Sequence, residues 1–406
     1  MSRRPRRGQL EYHLLVLVTL GLVAFGLVMV YSASSARAAL DADDPAYYLK
    51  RQAVYALVGI GLLAFFSRFD FRRLTQLVPL LLLGSFTLLV AVLALGAPIN
   101  GARRWLAFGP VTVQPSEIAK LALALWIAVY LSRRPAPTTL GELVRPLGLV
   151  VGAACGLILV EPDLGTAISV AIMLAAMLVV AGTRLSVLAS AASIGVGIFL
   201  LAIWLEPYRR ARLLSFLDPW QDAQGAGFQS VQALIALGSG GFFGVGLGES
   251  VQKVYYLPEA STDMIFAIIG EELGLLGAGA VILAFAVFGY AGFNIALACK
   301  DRFGKLLATG ITALVCGQAA VNVSAVMGVA PLTGIPLPFV SYGGSSLLVG
   351  LASVGILLNI AVNHAAEERT QVPDRGRRDG RARPARARRR GGASRARRVG
   401  HAGGAS

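Results

Sequence analysis

LLVLVTLGLVAFGLVMVY, residues 14–31, holds neither a charge nor a proline along its whole length. A helix rises about 1.5 Å per residue, so about 20 apolar residues cross a hydrocarbon core of ~30 Å. With a little of its flanks, this run is a membrane span. It lacks a small-residue cleavage site and reads as an anchor rather than a removable leader. Further apolar runs lie at about 52–67, 77–96, 117–132, 147–160, 164–182, 185–205, 264–290, 306–328 and 345–363. The short ones, 52–67 and 147–160, must borrow flanking residues. The expected fold is an all-α polytopic integral membrane protein of about ten transmembrane helices.

Composition agrees with that reading. Of 406 residues, 56% are apolar and 15% charged, with a mean hydropathy of +0.68, whereas a soluble domain is about 25% charged. A soluble enzyme, a disordered chain and a disulfide-stapled domain are excluded. Cys155, Cys299 and Cys316 sit in or beside apolar runs with no metal spacing, and read as small core residues. His13, His364 and His401 are too scattered for a zinc or haem site.

The net charge of +15 sits mostly at the ends. Residues 1–12 hold four Arg against one Glu, and residues 364–406 hold thirteen Arg against four acids. An N-terminus inside places Arg68, Arg72, Arg73, Arg133, Arg134, Arg145, Arg184, Lys300, Arg302 and Lys305 in inner loops, so 27 of 37 basic residues lie inside. Both termini are then cytoplasmic. The chain divides into a basic N-tail (1–12), a membrane domain (13–363) and an Arg/Ala/Gly-rich tail (364–406) whose composition predicts disorder. That tail reads as an inner-leaflet electrostatic anchor or as a dock for a cytoplasmic protein. It has no folded module or aromatic platform behind it for nucleic acid. The long connections, 32–51, 97–116, 206–262 and 329–344, face outward.

Ionisable groups at membrane depth are functional candidates, and here they crowd the outer side. Arg103-Arg104-Trp105 precedes Gln114-Pro115-Ser116-Glu117 and Lys120. Pro115 marks a helix start. Glu117 and Lys120, three apart, share a face and either neutralise each other or, with Arg103, Arg104 and Trp105, meet an anionic headgroup such as a pyrophosphate. In Glu161-Pro162-Asp163, Asp163 can cap the next helix, which leaves Glu161 unexplained.

The 206–262 loop carries Arg209, Arg210, Arg212 and the run Gly238–Gly248, which has no Lys-Ser/Thr ending and no complete GxGxxG after a strand. It reads as a turn that lets backbones approach closely. Lys253, Glu259, Thr262 and Asp263 follow. Asp263 is either an N-cap or a general base at the mouth of an outward cavity. On a continuous helix Glu271 would lie about 12 Å deeper and about 80° round, too far for the close carboxylate pair of a retaining glycosidase. Pro331–Ser346, broken by prolines and glycines, cannot form a regular span and reads as a re-entrant wall lined by Ser341, Ser345 and Ser346.

The ordered set RRWLAFGPVTVQPSEIAK (103–120), EPDLGTA (161–167), FLDPW (216–220), GFQSVQALIALGSGGFFGVGLGESVQKVYYLPEASTD (227–263), EELGLLG (271–277) and PLTGIPLPFVSYGGSS (331–346) resembles the SEDS family (shape, elongation, division and sporulation). With YSASSA (31–36), the chain is most similar to its cell-division branch. The resemblance covers about residues 12–363. It departs from the family at Ser261, where many relatives have His, at Met264, where Phe is usual, and at Thr112, where some division members are basic.

The resemblance implies a peptidoglycan glycosyltransferase that joins lipid II units outside the cytoplasmic membrane, during septal synthesis, beside a class B penicillin-binding protein and other division membrane proteins. The family's essential acid maps onto Asp263, its QPSE..K glutamate and lysine onto Glu117 and Lys120. A divalent cation (Mg or Mn) is the one cofactor implied. Arg103, Arg104, Trp105, Glu117, Lys120, Lys253, Glu259, Ser341 and Ser345 are the expected substrate contacts around catalytic Asp263. The competing readings are a lipid II flippase, the elongation-type polymerase of the same family, and a scaffold for division partners.

Overall fold

The computed structural model describes residues 7–371 apart from 42, 43, 100, 101, 110, 206 and 255. Ten helices among them are long and apolar enough to span a membrane. They are α1 (Arg7–Asp41), α2 (Tyr47–Arg68), α3 (Leu74–Leu95), α4 (Pro115–Arg133), the pair α5 (Leu140–Leu143) and α6 (Leu149–Val160) joined by a π-helical turn, α7 (Leu164–Ala181), α8 (Leu185–Leu205), α11 (Ile265–Ala298), α12 (Arg302–Val326) and α13 (Gly344–Gln371). Each matches an expected run. The fold is all-α and polytopic.

Two outer connections hold structure that the sequence reading left as loop. Residues 97–113 form a small antiparallel sheet, β1 (Ala97–Ile99), β2 (Ala102–Phe108) and β3 (Val111–Val113), in that order. Leu106 pairs with Val113, Ala107 with Thr112, and Phe108 with Val111. The 206–262 connection contains α9 (Pro207–Leu217) and α10 (Phe228–Ser239). At the C-terminal boundary α13 runs through Gln371, past the expected end of the membrane domain at 363. The rest of the Arg-rich tail, 372–406, and residues 1–6 of the N-tail lie outside the described residues.

Helix packing relies on small residues, because lipid tails leave no hydrophobic drive between spans. α2 meets α13 at two such places: a Cβ on Gly59 would lie 2.5 Å from Leu351 Cδ1, and one on Gly355 would lie 2.6 Å from the Leu63 carbonyl oxygen. α12, among the most buried spans, takes Met177 and Ile172 of α7 against Gly310 and Gly317. Asp163 caps α7 by accepting from Thr166 N at 3.0 Å, and left-handed Gly182 (φ 91°) ends it.

The Gly-rich run has a structural task, as the close-approach reading expected. α11 breaks at Gly274 (φ 65°, ψ −161°), a conformation open mainly to glycine. The break deprives the Glu271 and Glu272 carbonyls of their helical donors. Val245 N bonds Glu271 O at 3.0 Å and Gly246 N bonds Glu272 O at 3.1 Å, while Leu275 N and Leu276 N turn to the Gly241 and Phe242 carbonyls at 3.0 and 3.3 Å. The loop thus inserts into the helix and gives each of these four groups a partner. Close approach needs bare backbone: a Cβ on Gly240 would overlap the Gly270 carbonyl, and one on Gly244 the Glu272 carbonyl.

Gly240→Ala should cost about 1–3 kcal/mol through that overlap and lower the thermal midpoint of the detergent-purified protein. Gly238→Ala, two residues earlier and inside α10 with open space at its Cβ, should be neutral or slightly stabilising, since alanine is the better helix former. Equal midpoints for the two variants would refute the insertion.

Candidate functional site

Asp263 sits two residues ahead of α11. The N-cap is Met264 with no side-chain cap bond, so the capping reading of Asp263 does not hold. Its turn is tied internally: Thr262 N and Met264 N donate to the Glu259 carbonyl at 3.1 and 3.2 Å, and Thr262 Oγ1 donates to Glu259 Oε2 at 2.8 Å. Glu259, a proposed substrate contact, is here the pivot of that turn, at φ 55°. One bond stitches the turn to the irregular wall, from Tyr342 N to the Ser261 carbonyl at 2.9 Å, and another ties it to α12, from Asn322 Nδ2 to the Asp263 carbonyl at 2.8 Å. Asp263 is half-buried. A Cβ built on Gly334 would lie 3.8 Å from Asp263 Oδ2 and 4.0 Å from Arg104 Nη1. Carboxylate and guanidinium therefore converge on a residue with no side chain.

β2 explains why only one of the paired arginines arrives there. Strand side chains alternate faces, so Arg104 points inward with buried Ala102 and Leu106, while Arg103 and Trp105 point the other way. Arg104 Nε donates to the Glu161 carbonyl at 3.0 Å and Nη2 to the Pro162 carbonyl. Arg103 is exposed, with Nη1 at 3.3 Å from the Leu93 carbonyl. The two arginines expected together as substrate contacts thus lie on opposite faces of the strand.

Glu161, in the α6–α7 turn that anchors Arg104, is fully buried, and neither carboxyl oxygen has a hydrogen-bond partner among the described residues. Burial, aided by the neighbouring Asp163 charge and opposed by Arg104, pushes its carboxyl up to about 8. Asp163 is spent on its cap and on Thr166 Oγ1 (2.8 Å), Gln114 Nε2 (3.3 Å) and Ser116 Oγ (3.4 Å).

Several expected substrate contacts are committed inside the fold. Lys120 and Glu117 form a buried pair at 2.8 Å, and Lys120 also donates to Gln318 Oε1 at 2.8 Å. This is the self-neutralised reading. Lys253 pairs with Glu272 at 2.8 Å and donates to the Gly248 carbonyl (2.6 Å) and Ser32 Oγ (3.3 Å), which uses all three ammonium protons. Ser341 Oγ accepts from Leu337 N at 2.8 Å. Ser345 Oγ accepts from Gln114 N at 3.0 Å and donates to the Thr112 carbonyl at 3.3 Å, joining β3 to α13. These hydrogen bonds make the two serines fasteners of the wall.

Comparison with known proteins places this geometry. The cell cycle protein family of FtsW, RodA and SpoVE matches residues 12–366. The chain belongs to that family. Stage V sporulation protein E of Bacillus subtilis is 42% identical over 86% of this chain and 96% of the relative. The probable peptidoglycan glycosyltransferase FtsW of Trichlorobacter lovleyi is 43% identical over 88% and 95%. Among solved structures, a chain from "Structural coordination of polymerization and crosslinking by a peptidoglycan synthase complex" superposes with a TM-score of 0.70 at 31% identity, over 86% of this chain and 97% of that one. The rod shape determining protein RodA of Thermus thermophilus superposes with a TM-score of 0.63 at 29% identity, over 86% and 96%.

In this FtsW/RodA/SpoVE member, sequence reading missed the amides Gln318 and Asn322, four apart within the apolar run 306–328, and Gln52, whose Nε2 donates to the Ser341 carbonyl at 3.1 Å. A buried amide in a span was the available signal. No three His, Cys, Asp or Glu side chains gather as a metal site among the described residues.

Two outcomes follow from the charges. Lys120→Met strands a buried carboxylate and should cost about 3–5 kcal/mol, much of it recovered in the Glu117→Gln/Lys120→Met double variant; thermal unfolding in detergent reads both. For Glu161, the folded state holds a proton that the unfolded chain releases near the ordinary carboxylate value, so its contribution to stability falls as pH rises from about 5 to about 8. Glu161→Gln should flatten that part of the midpoint-versus-pH curve, and a curve of unchanged slope would exclude the buried proton.

Proposed function

We propose that this chain is a peptidoglycan glycosyltransferase that polymerises lipid II at the outer face of the cytoplasmic membrane, with Asp263 as its general base. The observation that carries it is the meeting of the Asp263 carboxylate and the Arg104 guanidinium at Gly334. One group takes a proton and the other faces developing negative charge, as displacement at a sugar carbon with a pyrophosphate leaving group requires. Support comes from relatives named probable peptidoglycan glycosyltransferase.

In the proposed reaction Asp263 accepts the proton of the acceptor sugar's 4-hydroxyl as that oxygen attacks the donor's anomeric carbon. A C–O bond forms with inversion, the C–O bond to pyrophosphate breaks, and undecaprenyl pyrophosphate leaves with the electron pair. Arg104 offsets its charge, with Arg103 on the exposed face of the same strand. The partner is a class B penicillin-binding protein, in line with the likeness to a chain of a peptidoglycan synthase complex. The role is septal synthesis in division, in line with relatives named FtsW.

Asp263→Asn should fold and insert as the parent does yet polymerise nothing, since a general base alone is worth about 10²–10⁴-fold. The measurement is glycan strands on a gel from labelled lipid II and the purified chain with its class B partner in liposomes. Strands from the parent and none from the variant support the proposal. Strands at the parent rate from Asp263→Asn remove Asp263 from the mechanism. Lipid II crossing the bilayer with no strands from the parent overturns the polymerase.

A further inference from the structure

Gln318 and Asn322 lie four apart on α12 and so share one face. Both are buried, at 4% and 2% exposure. Asn322 Nδ2 lies 2.8 Å from two carbonyl oxygens, that of Asp263 and that of Ile335. Its Oδ1 has no partner among the described residues. Exchanging oxygen and nitrogen would set an acceptor against two acceptors, so the neighbours dictate this orientation. Gln318 is oriented from both ends: Oε1 accepts from Lys120, which can only donate, and Nε2 donates to the Pro336 carbonyl at 2.9 Å.

The two anchored carbonyls, Ile335 and Pro336, immediately follow Gly334. On its other side this segment presses on α7: a Cβ on Gly165 would overlap Ile335 and lie 3.1 Å from Thr333 Cβ. Gly165 adjoins the turn whose carbonyls hold Arg104. Gly334 is therefore wedged between the Arg104 anchor and the Asp263 turn, and α12 bonds both the Asp263 turn and the residues that follow Gly334.

We propose that Asn322 and Gln318 are positioning residues: Asn322 clamps the Asp263 turn to the 331–343 wall, and Gln318 ties that wall to the Glu117–Lys120 pair, which together fix the gap between the Asp263 carboxylate and the Arg104 guanidinium. The assignment rests on Asp263 acting as the base. Lys120 acts here through Gln318, as a buried strut of the wall. Misplacing a reacting group by 1 Å can cost about 10²-fold in rate, so the clamp is read in turnover rather than in substrate binding.

The test uses the full chain with its class B partner in lipid nanodiscs. Initial rates of strand formation are measured over a range of lipid II for the parent and Asn322→Leu, which keeps the size and loses the donors. Hydrogen–deuterium exchange of the same samples is followed at 259–264 and 333–338, with α2 as the reference. Expected are a turnover at least about tenfold lower, KM within about twofold, and faster exchange in those two segments alone. A raised KM with turnover kept would make Asn322 a substrate contact and overturn the proposal, as would unchanged exchange. Should Asn322→Leu aggregate, Gln318→Leu and Asn322→Asp carry the same readouts. A parent that makes no strands defeats the polymerase reading, and the exchange comparison then decides the clamp by itself.

Discussion

Backbone N–H and C=O groups cannot be left unpaired where there is no water, and this constraint shapes every unusual feature of the bundle. Regular spans satisfy it internally. Two segments beside the Asp263 turn do not: the break in α11 at Gly274 and the irregular stretch 331–343 between α12 and α13. The first is repaired by backbone, through the exchange of four hydrogen bonds with the Gly-rich loop. The second is repaired by side chains, with Gln52, Gln318, Asn322 and Ser341 supplying the bonds a helix would have made. Asp263 stands between the two repairs. The bonds that keep the backbone satisfied are thus the same ones that set where the carboxylate lies.

Charge is managed in the same economical way. Burying an ion is tolerable only when it is paired and its remaining hydrogen-bonding capacity is filled. Glu272–Lys253 meets that condition through Ser32 and the Gly248 carbonyl, and Glu117–Lys120 is paired and further bonded by Gln318. Arg104 differs. Its hydrogen-bond anchors are the carbonyl oxygens of Glu161 and Pro162 rather than carboxylates, and Glu161 beside it, pushed up to about 8, is mostly neutral at pH 7. Its guanidinium is therefore oriented by neutral carbonyls, which suits a group that faces a developing anion.

The spans were legible because a run such as 14–31 needs only length and apolarity to be read, and composition settles both. The close approach of the Gly-rich run was legible for a similar local reason, since glycine without a phosphate-loop ending leaves few other uses. What failed was long-range pairing. Nothing within residues 247–263 says that the Lys253 ammonium meets Glu272 on α11 and Ser32 on α1. The split of Arg103 from Arg104 was hidden because 97–113 is too short and irregular to announce strands, though period-two alternation divides the pair as soon as β2 exists. Asn322 was passed over because a polar residue inside an apolar run draws less notice than a charge. The family resemblance pointed to Asp263 without any statement of what holds it.

Glu271 bears on why a single carboxylate serves the proposed reaction. It accepts from Ser250 Oγ and from Val251 N, and so is tied to the inserted loop rather than facing Asp263. Glu272 is likewise spent on Lys253 and Ser32. With both acids occupied, α11 offers no second carboxylate to form a covalent glycosyl intermediate or to protonate a leaving group. A pyrophosphate needs no such proton, because it departs as a stabilised anion. One base on one side of Gly334 and one cation on the other are then sufficient. The glycine keeps the gap between them open, because any side chain there would enter the space in which a hydroxyl must approach the carboxylate.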